Sequence, residues 1–242
     1  MIVAYLSILG LLIGSFLNVL ILRIPKGESV VFPSSHCTAC GEKLKWYHNI
    51  PLLSWIFLRG KCAFCGDKIS VQYPLIELAT ALIFFVCALK ESEIYVALSL
   101  SLVFSLLLAL SLIDIRYKAV PDSLSLPALA LALVHFEVLS RFEYALLFAG
   151  GFALLRIVIS SLLKKEAMGE ADIIIAAIIG AVLGLQLGLI AIYLSAVFAI
   201  PVFLIVAKRG FEMPFIPFLA IGLFVTYLLD KQFLTLVRYI YG

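Results

Sequence analysis

Apolar runs separated by short polar stretches occupy most of the chain. Eight of them are candidate membrane-crossing helices: 2–22, 75–89, 94–113, 123–140, 143–163, 172–187, 189–207 and 214–230. A helix that crosses the hydrocarbon core needs about 20 predominantly apolar residues, so several of these runs are near the lower limit. The pattern predicts an all-α integral membrane protein with about eight transmembrane helices.

The composition excludes a single water-soluble core. Hydrophobic residues make up 64% of the chain and charged residues 14%, whereas soluble domains are usually about 45–50% apolar and about 25% charged. The lipid bilayer is therefore the expected solvent for most of the surface. The formal net charge of +3 is too small to indicate nucleic-acid binding, and we expect no nucleic-acid partner.

The sizeable polar stretch lies between the first two apolar runs. It predicts three regions: a first transmembrane helix at 1–22, a polar insert at 23–73 and a helical membrane domain at 74–242. The first run has no cation before Arg23 and no small-residue cleavage site at its end. It therefore resembles an uncleaved helix rather than a secretory signal peptide.

Lysine and arginine predict the orientation, because short loops rich in these residues stay in the cytoplasm. With the N-terminus outside, the stretches 23–73, 114–122, 164–171 and 208–213 are cytoplasmic and hold thirteen cations. The outside segments and the C-terminal tail hold four. This bias predicts an outside N-terminus and a cytoplasmic insert. The cations are then explained by topology rather than by a charged partner.

The insert contains two Cys-x-x-Cys pairs, which are Cys37 with Cys40 and Cys62 with Cys65. Pairs at this spacing can hold one tetrahedral Zn²⁺ through four thiolates. Structural disulfides are unexpected in the reducing cytoplasm. Four thiolates leave no open coordination position, so the predicted zinc stabilises the insert and does not catalyse. The alternative is a reduced thiol cluster without metal. The fifth cysteine, Cys87, is expected to be a small buried apolar residue.

Two acids at predicted helix ends are candidates for catalysis. Asp114 closes the third apolar run and Asp172 opens the sixth, and the predicted topology places both at the cytoplasmic membrane face. Two carboxyl groups in contact do not easily ionise together, so one keeps its proton. The ionised group can then activate water while the protonated one polarises a peptide carbonyl. The chain has no GxSxG or HExxH motif that would offer another hydrolytic chemistry.

Each acid also has a structural interpretation. Asp172 can interact with the dipole of its own helix, and Asp114 can pair with a nearby cation. Asp122 follows Pro121 and is expected to be an N-cap, while Glu77 is either functional or a polar packing contact. Arg156 lies inside an apolar run and is expected to face protein or to reach the interface, with no partner identified from the sequence.

Several motifs together resemble those of the type IV prepilin peptidases, the leader peptidase and N-methyltransferase family. The resemblance reaches to about residue 184 and rests on the following segments: Gly14-Ser-Phe-Leu-Asn18, Arg23-Ile-Pro25, the paired cysteines, Trp46 to Trp55, Tyr73-Pro74-Leu-Ile-Glu77, Leu112-Ile-Asp114 and Val120-Pro121-Asp122.

The resemblance implies that Asp114 and Asp172 are the catalytic aspartates, with Glu77, Asp122 and Gly169 as candidate supporting residues. It implies removal of a short basic leader from prepilin or pseudopilin precursors of a type IV pilus or type II secretion system. It also implies a bacterial inner membrane location. Many members then methylate the new N-terminus with S-adenosylmethionine. That cofactor rests on resemblance alone, because no GxGxxG nucleotide-binding unit is present.

The second aspartate motif departs from the family pattern. The family has Gly-x-Gly-Asp, often with lysine two residues later, whereas this chain has Ala171 before Asp172 and Ile174 at the lysine position. A side chain at 171 is costly if the backbone there needs φ > 0 and mild if the residue is helical. Slower turnover is the expected consequence.

Two other functions fit parts of the pattern. A small ion or solute transporter would use membrane-embedded acids as a relay, but it would place them near the bilayer midplane. A non-catalytic, zinc-containing assembly factor of a pilus or secretion system would use the insert to bind partners. The oligomeric state is not indicated by the sequence.

Overall fold

The computed structural model of the protein describes residues 1–134, 138–164, 169–206 and 213–241. The α-helices of the described residues are α1 Ile2–Arg23, α2 Leu53–Phe57, α3 Gln72–Lys90, α4 Ile94–Tyr117, α5 Asp122–Ala132, α6 Val138–Leu163, α7 Glu170–Val206, α8 Ile216–Leu228 and α9 Asp230–Tyr241. The cations Lys165, Lys208 and Arg209 of the predicted cytoplasmic stretches lie outside the described residues.

Five of the described helices are long and apolar enough to cross a membrane, and a sixth span results if α8 and α9 count as one, with a bend of 79° between them. The protein is therefore a multi-pass membrane protein. The expected count of eight is not confirmed. In the run predicted at 123–140, α5 has 11 residues and extends only about 17 Å at 1.5 Å per residue. Residues 135–137 of that run lie outside the described part of the chain, and residues 138–140 begin α6. The runs predicted at 172–187 and 189–207 are joined in α7.

The internal contacts divide the chain into two compact units, Met1–Ser105 and Leu106–Gly242, with the boundary inside α4. In the first unit α1 packs closely on α3. A Cβ added to Gly14 would lie 2.7 Å from the Cα of Glu77, and one added to Gly10 would lie 2.9 Å from the Cα of Ala81. Small residues allow such close contact between membrane helices, where packing rather than hydrophobic burial drives association.

A buried polar contact joins the same helices near the insert. The side chain of Asn18 on α1 is fully buried and its Nδ2 donates to the carbonyl oxygens of Gly14 and Tyr73. Gln72 donates to Asn18 Oδ1 at 3.4 Å. The start of α3 is thereby held against α1, which places the two ends of the insert side by side.

In the second unit, α7 is interrupted at Gly184, whose φ of 71° and ψ of −168° are not helical. A Cβ added at Gly180 would lie 2.8 Å from Cδ2 of Phe148, and one added at Gly188 would lie 2.6 Å from Cζ of the same ring. A straight helix would separate these two positions by about 12 Å, too far for one phenyl ring to contact both. The chain therefore bends sharply at Gly184, four residues before the predicted boundary. Arg141 of α6 donates to the carbonyl oxygen of Ala181 beside this bend.

Candidate active site and metal centre

Asp114 lies in the last turn of α4 and its side chain is buried, with 7% of its surface exposed. Its Oδ2 accepts a hydrogen bond of 3.3 Å from the backbone N–H of Ile216. Ile216 is the first residue of α8, and a helix N-terminus favours a negative charge. The donor is 102 residues away in the sequence, so no local pattern indicated it.

Asp172 is the third residue of α7 and is 8% exposed. Its Oδ2 accepts a hydrogen bond of 3.1 Å from the backbone N–H of Gly169. A side chain that reaches back from the third helical position to the residue before the helix is half of a capping box. The structural role expected for Asp172 at a helix N-terminus is thus present, and it fixes the direction of the carboxyl group.

Both aspartates belong to the second unit, Asp114 near the end of α4 and Asp172 near the beginning of α7. Each carboxyl group lies at the N-terminus of a helix with its Oδ2 bound to a backbone N–H. Within the described part of the chain, no hydrogen bond uses Oδ1 of either side chain. Two buried carboxyl groups that meet at one site can share one proton and act as base and acid.

The residue that departs from the family motif lies in the helix. Ala171 is half-buried in the first turn of α7, and it is not among the residues with positive φ. Its Cβ therefore carries no backbone strain, and the departure from glycine is mild. Among the described residues, a Cβ added at Gly169 would meet only Asp172 Oδ2, at 3.6 Å. With respect to them, this glycine contributes its N–H rather than its lack of a side chain.

Replacing Ala171 with glycine, the residue typical of the family that the motifs resemble, is expected to change the rate of the leader cleavage implied by that resemblance by less than about threefold, because glycine only loosens the helix by about 0.5–1 kcal/mol. The measurement is the initial rate on a basic-leader precursor, with the melting temperature recorded in parallel. A tenfold or greater gain in rate would mean that the Cβ at position 171 does obstruct the site.

Arg156 has a partner that the sequence did not identify. Its guanidinium donates from Nη1 and Nη2 to Oε1 of Glu170, both at 3.2 Å. Glu170 is the first residue of α7 and its side chain is 82% exposed, so the pair contributes little free energy of folding, as exposed ion pairs generally do. Its consequence is local, because it ties α6 to the helix turn that carries Asp172.

The candidate supporting residues Glu77 and Asp122 differ in their surroundings. Glu77 belongs to the first unit, is buried, and accepts a 2.8 Å hydrogen bond from the backbone N–H of Leu52. Leu52 has a φ of 60°, so Glu77 holds a strained turn of the insert against α3.

Asp122 was expected to be the N-cap of its helix, and this was wrong. Pro121 is the N-cap, while Asp122 is exposed and is the first helical residue; Pro121 has no N–H, and its extended backbone precedes the helix.

The four insert cysteines form a cluster. Their sulfur atoms all lie within 4.8 Å of one another, and the Sγ atoms of Cys37 and Cys65 are 3.8 Å apart. Four sulfurs each about 2.3 Å from a zinc ion lie about 3.8 Å apart in a tetrahedron. The arrangement is therefore compatible with zinc. Cys87 is fully buried in α3, as expected.

The two cysteine pairs have the same local structure. In the first pair, the N–H of Cys37 donates to the carbonyl oxygen of Glu42, and the N–H of Gly41 donates to the carbonyl oxygen of Cys37. In the second pair, the N–H of Cys62 donates to the carbonyl oxygen of Asp67, and the N–H of Gly66 donates to the carbonyl oxygen of Cys62. Both glycines have positive φ, 73° and 76°, which residues without a Cβ adopt readily. These turns direct backbone N–H groups toward the sulfurs, as in the 3.4 Å contact from Phe64 to Cys62.

The thiols of the second pair differ in their pKa values. The pKa of Cys62 is lowered to about 7 because the backbone N–H groups of Cys65 and Phe64 stabilise its thiolate. The backbone N–H of Asp67 also favours the Cys65 thiolate, but desolvation and the neighbouring thiols outweigh it and raise the pKa of Cys65 to about 12. Four negatively charged thiolates at these distances would repel one another, and a divalent metal ion would offset that repulsion.

Two family models match the chain in succession. Residues 8–91 match the bacterial peptidase A24 N-terminal domain, and residues 101–204 match the type IV leader peptidase family. The first match contains the cysteine cluster and Glu77, and the second contains both aspartates. The second match extends about twenty residues beyond the end of the resemblance that the motifs indicated.

Curated relatives are similar over most of the chain. A prepilin leader peptidase/N-methyltransferase of Myxococcus xanthus is 40% identical over 185 residues, which cover 74% of this chain and 55% of the relative. A protein of the same name from Xanthomonas campestris is 36% identical, and the match covers 90% of this chain and 88% of the relative. The protein of the same name from Pseudomonas aeruginosa is 34% identical, and the match covers 93% of this chain and 89% of the relative. No solved structure matches the chain.

Proposed function

Because the chain belongs to the type IV leader peptidase family, we propose that it is a membrane-embedded aspartic endopeptidase that cleaves the short basic leader from type IV prepilin or pseudopilin precursors. The observation that carries the proposal is the pair of buried aspartates. Asp114 and Asp172 are both buried, and each accepts a hydrogen bond from a backbone N–H at a helix N-terminus. Both lie inside the segment that matches the family.

The proposed chemistry divides the work between the two carboxyl groups. The ionised one accepts a proton from the attacking water, and the protonated one donates a hydrogen bond to the scissile carbonyl oxygen. The N–H of Ile216 and that of Gly169 hold one oxygen of each group in place. The second oxygen of each carboxyl group is then the atom that acts on water or substrate.

The proposed site lies at the cytoplasmic face of the bacterial inner membrane. Asp114 lies near the end of α4 and Asp172 near the beginning of α7, a depth that suits a substrate whose apolar helix is already in the bilayer. The lysine and arginine distribution supports an outside N-terminus. The same depth disfavours a transporter, which would use acids near the midplane.

The span count and the second activity are parts of the proposal. The bend at Gly184 supports two spans within α7, which would raise the number of membrane spans toward eight.

The names of the relatives include N-methyltransferase, and on that basis we propose methylation of the new N-terminus with S-adenosylmethionine. We also propose that zinc bound by Cys37, Cys40, Cys62 and Cys65 stabilises the insert. No other candidate function is favoured by a specific observation.

The proposed function is tested with the full chain in lipid vesicles and a full-length basic-leader precursor, with and without S-adenosylmethionine. Product masses are expected to show loss of the leader in both reactions and one added methyl group in the second. Cleavage without the methyl group would remove only the methyltransferase. An intact precursor, with protein that is folded and embedded in the membrane, would contradict the peptidase.

A further inference from the structure

The short helix α2 of the insert turns its apolar side outward. Leu53, Ile56 and Phe57 occupy positions i, i+3 and i+4, which form one helix face, and they are 52%, 59% and 80% exposed. The residue on the opposite side, Trp55, points into the insert and donates from its indole nitrogen to the Ile69 carbonyl oxygen. In a water-soluble domain the apolar face of a surface helix is directed toward the core.

The 3₁₀ turn at Trp46–Asn49 continues this apolar surface, since it packs against α2. Trp46 is 79% exposed and Tyr47 43% exposed, with their ring centroids 5.6 Å apart. The ammonium group of Lys45 lies 5.9 Å from the centroid of the Tyr47 ring. We call the five residues Trp46, Tyr47, Leu53, Ile56 and Phe57 the aromatic patch. Tryptophan, tyrosine and lysine together are typical of the membrane–water interface.

A hydrogen bond sets the position of the aromatic patch along α3. The N–H of Leu52, the residue before α2, donates to Glu77 Oε2 at 2.8 Å. Glu77 is the sixth residue of α3, a membrane-spanning candidate, and lies about 7.5 Å from the start of that helix at 1.5 Å per residue. On α3, Leu75 and Leu78 to either side of Glu77 are 58% and 45% exposed. The beginning of α2 is therefore level with exposed leucines of α3, about 7.5 Å into this candidate spanning helix, rather than beyond its end.

The charge of the insert suits an anionic membrane surface. Residues 24–71 contain six lysine or arginine residues and three acidic residues. Lys45 and Arg59, which flank the aromatic patch in sequence, are both exposed. Cations next to a bilayer that contains anionic lipid each contribute about 1 kcal/mol of attraction. Both ends of the insert continue into spanning helices, α1 and α3, so this segment stays at the surface.

From these observations we propose that the aromatic patch is a membrane-contact surface. Leu53, Ile56 and Phe57 enter the boundary between headgroups and acyl chains, Trp46 and Tyr47 lie at the level of the headgroups, and Lys45 and Arg59 meet anionic lipid. The helix α2 then lies in the plane of the bilayer, as interfacial amphipathic helices do. The insert is thereby attached to the membrane along its surface as well as through its two ends. This proposal is independent of the proposed peptidase chemistry.

The chain provides its own reporter, because Trp46 and Trp55 are its two tryptophans. The full-length protein and its Trp46→Phe variant are reconstituted in vesicles of phosphatidylcholine and phosphatidylglycerol, and the difference between their emission spectra isolates Trp46. We expect blue-shifted emission. Quenching by lipids with a nitroxide near the headgroup should exceed quenching by lipids with a nitroxide deep in the acyl chain by roughly twofold. Acrylamide in the water should quench little.

A pair of variants tests whether the apolar face of α2 holds Trp46 at the membrane. Ile56→Ser combined with Phe57→Ser is expected to shift the Trp46 emission to the red and to increase quenching by acrylamide. Tyr5→Ser, which changes an exposed aromatic residue at the opposite end of α1, should leave the Trp46 signal unchanged. The zinc content of every variant is measured to verify that the insert is folded.

Two outcomes would overturn the proposal. If Trp46 emits as in water, is quenched by acrylamide and is not reached by labelled lipids, the aromatic patch faces the aqueous phase. If neither acrylamide nor labelled lipid quenches Trp46, the patch is covered by protein, either elsewhere in the chain or in a second copy.

Discussion

Replacing Asp114 or Asp172 with asparagine is expected to lower the rate of leader cleavage by on the order of 10³-fold or more, the scale seen when acid–base groups that act as a unit are removed. Asparagine has nearly the same shape, and its Oδ1 can still accept the hydrogen bond from Ile216 or Gly169. The substitution therefore removes the acid–base function and keeps the packing. The measurement is the initial rate of leader release by the full chain in vesicles.

The control for this experiment is Glu143→Gln, the same change of a carboxylate to an amide at an exposed position of α6. It should cleave at the parent rate. The amount of protein recovered in the membrane should be equal for all variants. The double variant Asp114→Asn with Asp172→Asn should be no slower than either single one, because the two groups act as one unit. Near-parental rates in both single variants would refute the catalytic assignment.

If the cysteine cluster holds the proposed zinc, replacing Cys37 with serine is expected to remove most of that zinc and to unfold the insert locally. Structural zinc contributes about 10–16 kcal/mol to the folding of small zinc domains, and even loss of a hydrogen-bond partner of a ligand weakens binding about 10–100-fold. Loss of a thiolate should therefore cost more than about 100-fold in zinc affinity. Cleavage should fall as an indirect consequence. The measurements are zinc per protein by elemental analysis and proteolysis of the segment around 24–71.

The control is Cys87→Ala, which removes a thiol that is fully buried in α3 and is not part of the cluster. It should keep the full zinc content. Chelation of the parent protein should reproduce the Cys37→Ser result, and added zinc should restore the parent but not the variant. Fully active parent protein that contains no zinc would contradict the metal-binding role of the cluster.

Local sequence features are sufficient to predict much of this architecture. Apolar runs predict helices because the lipid interior requires each backbone N–H and C=O to be bonded within its own segment. The two Cys-x-x-Cys pairs, each followed by glycine, predict the turns that place four sulfurs together. The motifs around Asn18, Glu77 and Asp114, together with the paired cysteines, indicated the family, and the similar proteins agree. Each of these conclusions depends on residues that are close together in the chain.

Other features depend on which segments pack against each other. The N–H of Ile216 reaches Asp114 across 102 residues, Leu52 reaches Glu77 across 25, and Arg156 reaches Glu170 between two helices. The bend at Gly184 likewise became evident through the contacts of Phe148 with two distant glycines. Composition and spacing determine what each segment can form, because those rules are local. The orientation of a carboxyl group and its hydrogen-bond donors arise only when separate helices come into contact, since their free energies depend on distance in space.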